Sequence, residues 1–250
     1  MLRTFSKLTH IYDLAASALS LNRYWDLYSA FLSSLLLRDY ENVVTLEELR
    51  KMFAYDDWIV VGPLATRQDI DWINKNTETK GVAVADSAFG KAASYGLKKV
   101  DLLVTDMDGL EPIHMNINRL YKLTNTVSIH FHGDNIDRAW RFLEVLKMYR
   151  IRILPTCQAG VGYKVEKING FTDGDRAVLL SLIAGAKRIS LVGMDFTGYP
   201  LPNSLESCTD YKSYFKLKIA RYAIDLYSRV YEVKFHNTGG SVYASCENRD

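Results

Sequence analysis

From residue 57 onward, short β-rich runs alternate with stretches long enough for one helix, and this alternation constrains the fold more than any other feature. The runs are DWIVVG, GVAVA, DLLVT, TVSIHF, IRILP, RISLVG and YEVKFH. Strands separated by helical segments make βαβ units, which require a mostly parallel sheet flanked by helices. Near-continuous apolar runs such as WIVV and LLV fit strands covered on both faces. Residues 1–55 differ: apolar and aromatic side chains in YWDLYSAFLSSLLL recur three and four apart, and Thr45-Leu46-Glu47-Glu48 forms a capping box. This predicts an N-terminal helical region over 1–55, packing on the sheet or on a second subunit, followed by an α/β catalytic domain over 56–250.

A Rossmann-like sheet of this kind brings the carboxyl ends of its strands to one edge, where ligands bind. Aspartates fall repeatedly at those ends. Asp86 follows GVAVA, Asp106 and Asp108 follow DLLVT, Asp134 follows TVSIHF, and Asp195 follows RISLVG. Helix capping explains one such residue at a time. It explains Asp106-Met107-Asp108-Gly109 together with Gly133-Asp134-Asn135 less well. Carboxylates meeting at one edge repel unless a cation neutralises them, and Mg²⁺ suits all-oxygen sites.

Three readings compete for Asp106-Met107-Asp108-Gly109. A calcium-binding EF-hand loop fails, because its twelfth position, which needs a bidentate acid, is Ile117. A DxD phosphatase of the haloacid-dehalogenase type fits the strand-end DxDG, but about 100 residues precede it here. The third reading is a magnesium site for diphosphate transfer from a nucleotide. Thr172-Asp173-Gly174-Asp175 opens a helix, where free amides favour an anion and the acids suit a metal or a ribose. Arg176 in the first turn offers forked donors to phosphate oxygens. Lys212, Lys216 and Lys218 follow on a further helix. The turn Val61-Gly62-Pro63-Leu64 could let the Gly62 backbone approach a phosphate. His130 and His132 share one side of a strand near Asp134.

The balance of 31 basic against 29 acidic residues gives no basic footprint, so no nucleic-acid partner is expected. Three scattered cysteines, Cys157, Cys208 and Cys246, form neither a disulfide framework nor a zinc pattern. No apolar run spans a membrane. The start MLRTFSKLTHIYDLAASALSL imitates a signal peptide only until Asp13, with no small-residue cleavage site after it. A cytoplasmic location is expected.

The ordered series Asp106-Met107-Asp108-Gly109, His132-Gly133-Asp134-Asn135, Thr156-Cys157-Gln158, Phe171 to Ala177 (FTDGDRA), Gly193-Met194-Asp195-Phe196 and Lys216-Leu217-Lys218 resembles the archaeal 6-hydroxymethyl-7,8-dihydropterin pyrophosphokinases, the MptE-like group. The match covers about residues 57–220. It departs at Val61-Gly62-Pro63-Leu64, where the family has a GxGPSL-like turn, and at Ala85-Asp86-Ser87, where it has Ala-Asp-Gly. The spacing of the aspartates is also distantly similar to that of thiamin pyrophosphokinases, whose aspartates bind magnesium. The resemblance implies transfer of diphosphate from ATP to a pterin alcohol, releasing AMP. It implies that Asp106, Asp108 and Asp134 hold Mg²⁺, and that Asp86 completes the shell or contacts nucleotide. Arg176, Lys216 and Lys218 would steady phosphate oxygens, and Asp173 and Asp175 would hydrogen-bond pterin or ribose. With the apolar N-terminal helices, the likeness to thiamin pyrophosphokinases points to a homodimer. A second similarity, to motility-associated glycosyltransferases that modify flagellin, leaves a sugar-transfer alternative beside the phosphatase.

Overall fold

The computed structural model describes residues 2–109, 113–160, 162–194 and 211–237. Three helices come first: α1 (Leu2–Leu19), α2 (Arg23–Leu36) and α3 (Leu46–Met52). The sheet then alternates with helices: β1 (Asp57–Val61), α4 (Arg67–Asn74), β2 (Gly81–Ala85), α5 (Asp86–Ser94), β3 (Val100–Thr105), α6 (Ile113–Leu123), β4 (Thr124–Phe131), α7 (Ile136–Met148) and β5 (Arg152–Cys157). The short β6 (Glu166–Lys167), α8 (Asp173–Ile183), β7 (Arg188–Val192), α9 (Tyr211–Tyr231) and β8 (Lys234–Asn237) complete the described elements. All seven expected strands form. The two-residue β6, too short to carry a periodic signal, is added to them.

The eight strands lie in the order β6-β5-β4-β3-β2-β1-β7-β8, and every pairing between them is parallel. Alternation along each strand feeds two cores. Ile59, Val61, Val82, Val84 and Leu103 face one; Trp58, Val60, Ala83, Leu102 and Val104 face the other. Residues of α2, α4, α5, α6 and α7 cover the first face, and residues of α1, α3, α8 and α9 the second. The helical N-terminus is therefore split between the two sides of the sheet: α1 packs on α9, while α2 packs on α7, β4 and β5.

This division follows from handedness. Right-handed crossovers that step from β1 to β5 in one direction place α4 to α7 on one face. The chain must then travel back across the sheet to add β7 beside β1, and the same handedness puts that crossover helix on the opposite face. Hence α8 runs over β1, β2 and β3, starting at their carboxyl edge. It is buried on all sides from Asp175 to Ile183, which is why its sequence is apolar without a polar stripe.

Candidate functional site

The loop after β3 is shaped by its own side chains. Thr105 Oγ1 accepts from the Met107 amide at 2.7 Å, and Met107 takes a positive φ of 73°. The turn presents Asp106 and Asp108 on either side of the buried Met107. Asp86 opens α5 at the end of β2, with 1% of its surface exposed, and its Oδ2 accepts from the Gly109 amide at 2.9 Å. Gly109 fits closely here: a Cβ would stand 3.0 Å from the Ser87 backbone.

The third contribution arrives from the far end of the chain. At the start of α8, Thr172 and Asp175 form a capping box, with Asp175 also accepting from the Phe171 amide at 2.8 Å. These bonds absorb the Asp175 carboxylate completely into the helix start. They leave Asp173 facing Arg176, whose Nη1 donates to Asp173 Oδ1 at 2.7 Å. One ligand atom from each of Asp86, Asp106, Asp108 and Asp173 lies within 4.8 Å of the others.

Such proximity is costly. Two unit charges about 5 Å apart repel by ~3 kcal/mol at an effective dielectric of ~20, and a set of four multiplies that. The titration behaviour reflects it. Burial, then the charges of Asp106 and Asp108, push Asp86 up to about 7. Burial and the Asp106 charge push Asp108 up, and Asp173 rises well above the usual carboxylate range for the same two reasons. Asp106 goes the other way: burial alone would raise it, but the His132 hydrogen bond and the nearby Arg176 charge hold it well below that range. Among the described residues, the buried Asp86 Oδ1 has no hydrogen-bond partner. An orphaned carboxylate oxygen in an all-oxygen group of four is the donor set a hard divalent cation takes. The residues fit a metal.

The HGDN segment supports this cluster from the next strand end. Asn135 is buried; its Nδ2 donates to the carbonyls of His130 at 2.7 Å and Asp106 at 3.2 Å, and its Oδ1 accepts from the His132 amide at 3.1 Å. His132 thereby stands between Asp106, at 3.5 Å, and Asp134, at 2.7 Å. The Asp134 side chain is 82% exposed and pairs with His132 rather than joining the four-carboxylate group. His130 is fully buried against Thr156 Oγ1 at 3.0 Å, a core histidine that burial holds well below its ordinary range.

A cavity of about 490 Å³ opens beside the cluster, lined by Asp106, His132, Asp134 and Arg176, by Lys216 from α9, and by Leu21, Asn22, Trp25 and Asp26 at the start of α2. Arg176 is 4% exposed, and among the described residues its Nε–H has no partner. Lys216 is exposed, and Lys218 is half-buried on the same helix. Gly62 sits elsewhere: its amide donates to the Val192 carbonyl at 2.8 Å, and a Cβ would come within 2.5 Å of the Gly193 carbonyl. It packs the end of β1 against that of β7, so its N–H is spent on the fold. Asp195 and most of the 194–209 stretch lie outside the described residues.

The sequence reading placed the helix α2 but gave it no part in the site. Trp25 and Asp26 read as part of a packing helix, and no local pattern distinguishes a cavity-facing residue there. Asp26 is buried, accepting from the Tyr12 hydroxyl at 2.5 Å and from the Gly133 amide at 3.0 Å. Gly133 has no room for a Cβ, which would meet the Trp25 Cβ at 2.6 Å.

Fold and site together define a parallel α/β protein with a carboxylate-centred crevice at the carboxyl edge of its sheet. Residues 35–199 match the family described as 6-hydroxymethylpterin diphosphokinase MptE-like, and the chain belongs to that family. It is 32% identical over 165 residues to the 6-hydroxymethyl-7,8-dihydropterin pyrophosphokinase of Pyrococcus furiosus, covering 65% of each chain. To the enzyme of the same name from Methanothermobacter thermautotrophicus it is 40% identical over 96 residues, 38% of each chain. The aligned spans are thus less than two thirds of these relatives' lengths. Among solved structures, the sialyltransferase CST-II in complex with trisaccharide acceptor and CMP is similar at 13% identity and a TM-score of 0.40, over 72% of this chain and 79% of that one.

Proposed function

We propose that this protein transfers diphosphate from ATP to 6-hydroxymethyl-7,8-dihydropterin, giving the pterin diphosphate and AMP, in the biosynthesis of a methanopterin- or folate-type cofactor. The observation that carries this is the four-carboxylate cluster with its orphaned Asp86 oxygen, set beside Arg176 and Lys216 at one cavity. Asp86, Asp106, Asp108 and Asp173 would hold Mg²⁺. When bound, the cation neutralises charge on the triphosphate and on the transferring group.

The acceptor's hydroxymethyl oxygen attacks the β-phosphorus of ATP. The new O–Pβ bond forms as the bond from Pβ to the α,β-bridging oxygen breaks, AMP leaves with that oxygen, and the hydroxyl proton passes to solvent. Phosphoryl chemistry of this kind needs positioning and charge stabilisation more than covalent help. Arg176, fixed by Asp173 and by the Phe171 carbonyl at 3.2 Å, lines the cavity with guanidinium donors left for a phosphate oxygen. Lys216 supplies a second cation at the solvent side of the cavity, and Lys218 is proposed to assist on the same helix. His132, ordered by Asn135, keeps Asp106 ionised and oriented.

Incubation of the protein with ATP, Mg²⁺ and 6-hydroxymethyl-7,8-dihydropterin, followed by separation of the nucleotides, tests the proposal. AMP formed in step with pterin diphosphate and abolished by EDTA is the expected result. ADP or free phosphate as the product, or no turnover, would overturn it.

A further inference from the structure

The walls of the cavity differ in chemistry. One holds Arg176, Lys216 and, from the acidic cluster, Asp106, suited to a metal-bound polyphosphate. Another is the first turn of α2, with Trp25 and Asp26. Trp25 is 52% exposed and presents a flat apolar face. Asp26 is 8% exposed and forms no ion pair among the described residues. Its two oxygens receive one donor each, from Tyr12 and Gly133. A carboxylate's two oxygens together offer about four acceptor sites, so among the described residues roughly half of that capacity is open. A buried carboxylate in this state repels a polyphosphate and attracts a neutral ligand rich in N–H groups.

We infer that the first turn of α2 is the ring subsite for the acceptor, with Trp25 as its stacking face and Asp26 as the acceptor of its ring N–H donors. The inference rests on the diphosphate-transfer reading and specifies its substrate class: a planar heterocycle with a 2-amino-4-oxo edge. That edge carries an amine and a ring N–H side by side, matching a forked carboxylate. Adenine pairs an amine with an unprotonated ring nitrogen, which a carboxylate opposes, so the adenine of ATP does not belong here. Placement also agrees. Asp26 holds Gly133, the preceding residue, His132, lies 3.5 Å from Asp106, and Asp26 and Asp106 line one cavity, so a ring anchored on Asp26 shares that cavity with the edge of the cluster. Both residues fall outside the 35–199 span that the family model matches.

Steady-state kinetics of Trp25→Leu, Trp25→Phe and Asp26→Asn, with ATP and acceptor varied separately, test the assignment. Loss of the stacking face should raise the acceptor KM roughly 10- to 100-fold while the ATP KM stays within about two-fold, and phenylalanine should restore part of the loss. Asp26→Asn should raise the acceptor KM by at least about ten-fold, because its amide donors oppose the ring donors. Tyr12→Phe, which removes the other bond to Asp26 and leaves the carboxylate, should change the acceptor KM by less than Asp26→Asn does. If Asp26→Asn does not fold, the Trp25 pair decides. An unchanged acceptor KM in folded variants, or a rise confined to the nucleotide, overturns the inference alone. A wild-type protein that forms no AMP sinks the diphosphate-transfer reading and the inference with it.

Discussion

Asn135→Leu isolates what holds the site together. Asn135 makes three hydrogen bonds from a buried position, to the carbonyls of His130 and Asp106 and from the amide of His132. Leucine has the same number and branching of side-chain heavy atoms, though a larger volume, and makes none of them. At a net ~1 kcal/mol per bond the loss is about 3 kcal/mol, and desolvation of the orphaned backbone groups raises it towards ~5 kcal/mol. For a chain of this size each kcal/mol lowers Tm by about 2–4 °C, so a drop of roughly 6–20 °C is expected in thermal unfolding followed by circular dichroism. Function should suffer beyond stability, because Asn135 is the bond between the DxDG loop and the HGDN loop. At a temperature where the variant is fully folded, the Mg²⁺ concentration for half-maximal turnover should rise about ten-fold or more, as support residues of metal sites typically show. A Tm within about 2 °C of wild type together with an unchanged Mg²⁺ requirement would refute the reasoning.

Three further outcomes are expected. Without divalent cation, stability should fall as pH rises from about 4 to about 7. Asp86 titrates near 7 in the fold against 3.8 unperturbed, so the folded state binds the extra proton and its contribution is lost as that proton leaves; Asp108 and Asp173 add in the same direction, and Asp106 opposes them only in strong acid. The rise in Tm on adding Mg²⁺ should accordingly be larger at pH 8 than at pH 5, and Asp86→Asn should flatten both trends in a thermal-shift series. Asp106→Asn should lose turnover by about 100-fold or more, whereas Asp134→Asn, at an exposed carboxylate paired with His132, should alter the Mg²⁺ requirement by a few-fold at most in a metal titration. Arg176→Lys should lower kcat/KM by at least about ten-fold despite conserving charge, because a lysine cannot hold Asp173 and the Phe171 carbonyl while donating to phosphate.

Much of the molecule follows from local pattern. Apolar runs of five or six residues such as DWIVV, GVAVA and VDLLVT have no stable place except in a sheet covered on both sides, and they form β1, β2 and β3. The capping residues Thr45 and Glu48 start α3 through side-chain bonds to amides three residues away. Asp106 and Asp108 could be assigned to the crevice because strand direction alone fixes which edge a residue after β3 occupies. Those are short-range rules, and the sequence by itself determines whatever obeys them: the parallel α/β class, the edge that carries the site, and the acidic character of that edge. Which acids meet is a long-range matter. Asp173 joins Asp86, Asp106 and Asp108 because handedness sends α8 back across the sheet with its first turn over β2 and β3, while Asp175, two residues on, turns inward to cap the helix. Asp134 sits at a strand end like the others, yet Asn135 turns the HGDN loop so that His132 intervenes. Trp25 and Asp26 carry no signal of a cavity wall, since a helix face turned to a ligand and one turned to a neighbour have the same periodicity. Only the packing of α2 against β4, β5 and the Gly133 backbone decides which of the two it is.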